Sequence, residues 1–213
     1  LLLNPRSGTL SGNESDFSIR DTSSVQRIFL ADRSGNQIDL QRQGSRWMIN
    51  GEFEARREAL EQFLSTMMRL TVRGPVARSA HNSVISRLAS TGVKVEIYQR
   101  TYLIDLGEKL RLFPRIRATR VFYVGDNTQD NLGTFMAMEG AERPYIVYLP
   151  GFRGFVSIRF SPRLSDWRDH SIFRTRLADI ASVQVEVSGE PENSYTITHL
   201  PNGTYRLEPA LGE

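Results

Sequence analysis

The chain has 213 residues, no cysteine, and 27 basic against 24 acidic residues, a formal net charge of only +3. The length allows one large domain or two small ones. The missing cysteine excludes disulfides, thiol catalysis, thiolate-held zinc and a lipidated cysteine within these residues, the net charge is too small for a generic nucleic-acid binder, and no apolar run reaches the roughly eighteen residues of a membrane-spanning helix.

Hydrophobic residues make up 39% of the sequence, enough for a sizeable core. The opening Leu1-Leu2-Leu3 is followed by a Ser/Gly/Asn-rich stretch, so residues 1–13 read as a linker or the tail of a membrane anchor. Residues 14–20 alternate and predict a short first strand. Val25 to Leu30 predicts the next. Asp32 to Asn36 is a turn with Gly35 placed for positive φ, Gln37 to Arg42 alternates cleanly, and Arg46 to Ile49 follows a Gly44-Ser45 turn. Together these form a three-stranded meander.

From Ala55 to Leu70, Leu60, Phe63, Leu64, Met67 and Met68 recur at helical spacing on one face. Their methionines read as core filler. Gly74-Pro75 closes this section. A second helix over 82–90 turns Val84, Ile85, Leu88 and Ala89 inward and stops at Gly92, with His81 in the turn before it. Strands are then expected at 93–98, continuing through 101–106, and at 110–113, 120–124, 134–138 and 145–149. A Gly151–Gly154 turn leads into another strand over 155–160.

Asp21-Thr22-Ser23-Ser24-Val25-Gln26 is echoed by Asp179-Ile180-Ala181-Ser182-Val183-Gln184, and the meander recurs behind it at an offset near 158. Val183 to Val187, Tyr195 to Ile197 and Thr204 to Leu207 repeat the three strands. The second copy stops where the first enters its helix. A lone meander with no helix to cover it is marginal, so the favoured reading is a copy cut short. The expected architecture is α+β: antiparallel sheets, an internally duplicated meander, and two helices after the first copy. The expected divisions are 1–13, 14–178 and 179–213.

Three stretches carry a family resemblance: Val121 to Met136 with its Tyr-Val-Gly strand, Thr-x-Asp turn and Gly-Thr-aromatic-Met strand; Tyr145 to Phe152 with its Pro-Gly-Phe turn; and the opening Asp21 to Val25. Spanning Asp16 to Leu207, the chain resembles the Bacteroidetes branch of the domain-of-unknown-function family numbered 4340. The resemblance implies one membrane-spanning segment ahead of a domain outside the cytoplasm. Some related domains accompany gliding-type ABC transporter components. It implies no activity and no catalytic residues.

The residues themselves offer few chemical constellations. All but two of the 27 basic residues are arginine, whose planar fork suits carboxylates and phosphates, although base composition alone can favour arginine. The segment 109–120 carries Lys109, Arg111, Arg115, Arg117 and Arg120 with no acidic residue, interleaved with Leu, Phe and Ile. It is the best candidate surface, for anionic lipid headgroups or an acidic partner. Its bland alternative is a solvated hairpin paired to neighbouring carboxylates. Asp126 and Asp130 lie in an oxygen-rich loop with calcium-like spacing, but Ala137 stands where a twelfth-position Glu belongs, which favours a local hairpin turn. Asp166, His170 and Ser171 are too crowded to assemble a hydrolase triad. His81, His170 and His199 are too scattered for a metal site. Phe152 and Phe155 read as side chains closing the end of a sheet.

The expectation is therefore a soluble, non-enzymatic domain that needs no cofactor. It faces the cell envelope from a membrane anchor and lies in the periplasm. It would bind or scaffold protein partners, with an anionic lipid surface as a further partner, and serve a transport complex. The alternative is a reader of small anions or glycans in a cleft between the repeats. Oligomeric state is left open.

Overall fold

The computed structural model describes residues 15–106, 110–173 and 175–210. The chain divides into two compact units, one running through Asp169 and the other beginning at His170.

The first unit is built on a nine-stranded sheet in which each pairing is antiparallel. The strands are β1 (Val25–Ala31), β2 (Gln37–Gln43), β3 (Arg46–Ile49), β4 (Phe53–Glu54), β5 (Thr71–Pro75), β6 (Val93–Asp105), β7 (Arg111–Asn127), β8 (Thr134–Met138) and β9 (Tyr145–Tyr148). Their spatial order is β4-β3-β2-β1-β6-β7-β8-β9-β5. The expected meander is present as β1–β3, with Ile28 opposite Leu40 and Leu30 opposite Ile38. Gly35 takes φ +88° in its first turn, where a Cβ would be strained.

One face of this sheet packs against α1 (Arg57–Arg69). Leu60, Phe63 and Met67 of α1 join Ile28, Leu30, Leu40, Trp47, Ile97, Phe122 and Met136 in the main core. Phe63 meets Phe160 edge-on at 5.4 Å and Trp167 at 5.5 Å. On the opposite face α2 (Arg78–Thr91) lays Val84 and Leu88 over Ala137, with Tyr123, Phe135 and Ile146 around them. Gly125 permits that approach, because a Cβ there would stand 2.7 Å from Leu88 Cδ2. Helices on both faces of one sheet make a three-layer arrangement.

Several local expectations are corrected. Residues 15–20 form no strand. Phe17 and Ile19 instead plug the core, held by one backbone bond from Ile19 N–H to Met67 O and an edge-on contact of Phe17 with Phe122. Gly74-Pro75 does not end the section as a loop, since β5 runs through it and pairs with β9; Pro75 is tolerated because β5 is an edge strand. The second helix starts at Arg78, which puts His81 inside it, and Ala89 faces outward while Val84 and Leu88 are buried. Gly92 does stop α2, but with φ −68°; the constraint is space, because a Cβ would lie 2.3 Å from Leu88 O. The strands expected separately at 110–113 and 120–124 are one strand, β7. The strand expected at 155–160 is a 3-10 turn over Ser157–Phe160, which buries Val156 and Phe160 four residues apart and leaves Ile158 outside. Phe155 is exposed, whereas Phe152 is half-buried under the Arg159 guanidinium, 4.7 Å from its ring centroid. A short helix, α3 (Leu164–Trp167), was not anticipated; it buries Trp167, whose indole N–H donates to Ser161 O at 2.7 Å.

The second unit holds a three-stranded antiparallel meander of β10 (Ser182–Val185), β11 (Tyr195–His199) and β12 (Tyr205–Pro209). Val183, Ile197 and Leu207 form one cross-strand row, and His199 stacks on Tyr205 at 5.0 Å. Among the described residues of this unit only Ser194 is buried. Its hydroxyl accepts the Val187 N–H at 3.0 Å.

Phe63 is the side chain on which α1, the 3-10 turn and α3 converge. Phe63→Ala should destabilise the first unit by about 3–5 kcal/mol, the range for truncating a buried aromatic, whereas Ile158→Ala should change stability by less than about 0.5 kcal/mol. Urea denaturation of both variants checks this; equal midpoints would refute the assignment of Phe63 to the core.

Candidate functional site

β6 and β7 pair from Val93–Val124 out to Asp105–Arg111, but their neighbours are shorter. β1 accompanies β6 only as far as Gln99, and β8 accompanies β7 only from Phe122 to Asn127. Beyond those points the two strands continue as a two-stranded ribbon, closed near its tip by Leu106 N–H donating to Leu110 O at 3.0 Å.

Residues directly opposite in an antiparallel pair share a face, and alternate residues change face. One face of the ribbon therefore carries Arg100, Tyr102, Ile104, Leu106, Leu110, Leu112, Pro114 and Ile116. The other carries Gln99, Thr101, Leu103 and Phe113 with Arg111, Arg115 and Arg117. The first is apolar beyond Arg100 and Tyr102, and the second interleaves arginines with two apolar side chains. Neither is covered: Leu106 is 67% exposed, Ile116 59% and Phe113 63%. Phe113 has φ +56°, in the left-handed region that bulky residues avoid. Its position before Pro114 adds a second backbone restriction at the same place.

A bulge sets which residues share a face. Ile97 lies opposite Arg120 and Tyr98 opposite Ala118, so Thr119 is an extra residue in β7. Its hydroxyl bonds to the Gln99 side-chain oxygen. This one-residue insertion keeps Arg111, Arg115 and Arg117 on the side of the sheet where Arg120 lies.

The sequence-derived basic strip is thus divided. Arg120 is structural: its Nη2 meets Asp16 at 2.6 Å, its Nη1 donates to Thr119 O at 2.9 Å, and it is half-buried. Arg111 places its guanidinium 5.5 Å from the Tyr102 ring centroid. Arg115 and Arg117 are exposed and have no acidic partner within 4.0 Å among the described residues. Lys109 lies outside the described residues.

At the root of the ribbon, where β1 ends, lies an open cleft of about 520 Å³. Arg100, Arg111 and Arg117 line it together with Tyr102 and the turn Asp21–Ser24. That turn is held firmly: Asp21 accepts the Ser23 N–H at 3.0 Å and the Ser23 hydroxyl, and Ser24 Oγ donates to Asp21 O at 2.9 Å. The Ser23 hydroxyl, with help from the neighbouring donors, holds the Asp21 carboxyl below its ordinary range against the opposing effect of desolvation. The Arg100 N–H donates to Ser24 O at 2.8 Å, fixing the turn to β6. Sequence reasoning used Asp21–Ser24 as a repeat marker and as part of the family resemblance, and passed over Arg100 and Tyr102. No spacing signal joins residues some eighty positions apart; only the β1–β6 register does.

The Asp126–Asn131 loop is a hairpin turn, as the simpler reading had it. Asp130 accepts the Thr128 hydroxyl and the Leu132 N–H at 3.0 Å, which together depress its pKa, and it faces Arg73 at 3.4 Å. Asp126 faces Arg87 at 3.7 Å. Among the described residues no group of three or more metal-ligating side chains converges. Asp166 accepts hydrogen bonds from the Ser161 and Ser165 hydroxyls. No described helix is long and apolar enough to cross a membrane. Since Asp130 Oδ1 is engaged within the turn and Oδ2 faces Arg73, millimolar calcium should leave the melting temperature within about 1 °C of its value in chelator, the scale set by a few tenths of a kcal/mol. A rise of several degrees in differential scanning calorimetry would overturn the hairpin reading.

Neither the curated proteins nor the solved structures contain a significant match to this chain. A family model does match, over residues 47–211, from β3 of the first meander through β12. That span includes the ribbon, the β7–β8 turn and the second unit. The chain therefore belongs to the family described as domain of unknown function (DUF4340).

Proposed function

We propose that this domain is a non-enzymatic binding or scaffolding module that faces the cell envelope from a membrane anchor, and that its docking element is the β6–β7 ribbon. The observation carrying this reading is the ribbon's exposed apolar face backed by arginines. A two-stranded ribbon is marginal in water by itself, and an exposed contiguous apolar surface marks a place where something else binds. The preferred occupant is a protein with an acidic rim, because Arg115 and Arg117 offer charge without internal partners. Anchoring, a periplasmic position, the Bacteroidetes branch and service to a transport complex rest on the sequence resemblance.

The internal duplication is part of the same proposal. Both meanders run up-down-up and pair apolar residues across their first two strands, Ile28 with Leu40 and Val183 with Ile197. In this reading the first copy acquired the helices and the ribbon, and the second is a further strand-built surface.

The test uses the full-length protein in its native envelope, with a photo-crosslinker at Leu112. A discrete crosslinked partner is expected, reduced by about tenfold in the Leu110→Ser/Ile116→Ser variant and weakened in Arg115→Glu, in line with the cost of losing central apolar and charged contacts. Undiminished crosslinking in both variants would refute the ribbon as the docking element. Recovery of the full-length protein in the soluble fraction would refute anchoring.

A further inference from the structure

We infer that the outer edge of β7, from Pro114 to Ala118, is a pairing edge for an extended protein segment in which acidic and apolar residues alternate. This rests on the reading of the ribbon as the docking element, and it names the mode of docking and the chemistry of what docks. The backbone comes first. β8 takes up the outer side of β7 only from its inner end, pairing from Phe122 and sending the Glu139 N–H to Val121 O at 2.9 Å. Before that point β6 is the one described strand that pairs with β7. In an antiparallel pair, alternate residues turn their backbone groups outward. The Arg100 N–H is turned away from β7, because it donates to Ser24 O at 2.8 Å. Arg100 and Ile116 are therefore an outward-pointing pair, and alternation makes Tyr102–Pro114 and Tyr98–Ala118 the same. Ile116 and Ala118 each hold out an N–H and a C=O, and Pro114 a C=O alone. Arg115 and Arg117 turn theirs toward β6. Proline is tolerated at 114 because the N–H it lacks would face water.

The side chains on this edge set what can lie beside it. Pro114, Ile116 and Ala118 share one face of the ribbon, and Arg115 and Arg117 share the other. A strand added along the edge places its own alternate residues on the same two faces, next to these side chains. Apolar residues then adjoin Ile116, and carboxylates adjoin Arg115 and Arg117. A second copy of the edge is a poor occupant. Two-fold pairing centred on Ile116 would set Arg115 opposite Arg117 twice, and like charges directly opposite destabilise a pair. Residues 110–120 contain no carboxylate to offset them. The nearby carboxylates do not serve either. Asp16, at the inner end of β7, is taken by Arg120 at 2.6 Å, and Asp21 belongs to the turn bonded to the outer edge of β6, across the ribbon. Arg111 stands outside the paired stretch, against Tyr102. Each pairing in this sheet is antiparallel, and the added strand follows that orientation.

The test titrates the whole chain with a capped heptapeptide that alternates Glu and Val, and follows it by NMR amide shifts and hydrogen exchange. In the free chain the Ile116 and Ala118 amides should exchange at least about tenfold faster than those of Arg115 and Arg117, which are bonded to β6. Saturable binding should slow the two outer amides. With Val opposite Ile116, the Val nitrogens face β7 and the Glu nitrogens face water. N-methylation of the Val residues should therefore abolish binding, and N-methylation of the Glu residues should leave it within about threefold. Arg115→Gln/Arg117→Gln should weaken binding about tenfold, and a Lys-Val heptapeptide should not bind. Ile116→Pro removes one outward N–H and no bond to β6, and should weaken binding about tenfold; the methylated peptides carry the same test without altering the chain. Slow exchange at Ile116 in the free chain, no binding at about 1 mM peptide, retained binding of the Val-methylated peptide, equal loss with both methylated peptides, or equal binding of the Lys-Val peptide would overturn the inference. Should any of these accompany a partner crosslinked at Leu112 and lost in Leu110→Ser/Ile116→Ser, the ribbon docks by a face, and the edge alone is refuted.

Discussion

The structure depends on one mismatch of length: β6 and β7 are longer than any strand able to flank them. Their inner halves lie at the centre of the nine-stranded sheet, with β1 bonded on one side and β8 on the other. There the strands are bonded on both sides, and Val95, Ile97, Phe122 and Val124 are buried. Their outer halves keep only each other. The same alternation that buries a side chain in the inner half presents one to water in the outer half. Core and candidate surface are therefore two ends of one hairpin.

The rest of the first unit is arranged around that hairpin's inner end. Helix α1 covers the core face, and Phe17, Phe63, Phe122 and Phe160 interlock through edge-on contacts between 5.4 and 5.9 Å. The other face is treated differently along its width. Over β7–β9 it is covered by α2, through the gap that Gly125 leaves. Over β1, β2 and β6 it carries a charged network instead: Arg27 with Asp39 at 2.7 Å, Lys94 with Glu96 at 2.9 Å and with Glu139 at 3.0 Å, and Tyr98 donating to Glu96. The Glu96 bond and its neighbours raise the Lys94 pKa well above the usual lysine range despite some desolvation. Such partly exposed pairs contribute little stability each. Their effect is to keep that face wetted, and to end where Arg100 and the ribbon begin.

Much of this was legible in the sequence, and the parts that were not share a cause. Period-two alternation located β1, β2 and β3, and helical spacing located α1, because each of those elements has one buried face. The misses occurred where burial has another period or another source. Phe17 and Ile19 alternate like a strand but are a plug, since core contacts and not a ladder hold them. Val156 and Phe160 are both buried, which looks strand-like in composition, yet their four-residue spacing belongs to a turn. The basic strip was visible as charge, but its division was not. Whether Arg120 and Arg117 face solvent or a partner depends on Asp16 and on the register of β1, neither of which a local pattern encodes. The cleft was invisible for the same reason, because it exists only where β1 stops short.

Thr119 shows how closely fold and candidate site are coupled. As the extra residue of the bulge, it shifts every residue on the tip side of β7 by one place relative to β6. With an unbroken register, Ile116 and Leu112 would take the side of Phe122, and Arg117 would turn to the side of Lys94 and Glu96, where carboxylates already wait. The bulge instead aligns the arginines with the Asp21–Ser24 turn and leaves the apolar row on the opposite face. Bulges are common beside functional surfaces because a single residue re-aims a whole strand end. Here it decides which side of a ribbon only two strands wide carries Arg111, Arg115 and Arg117.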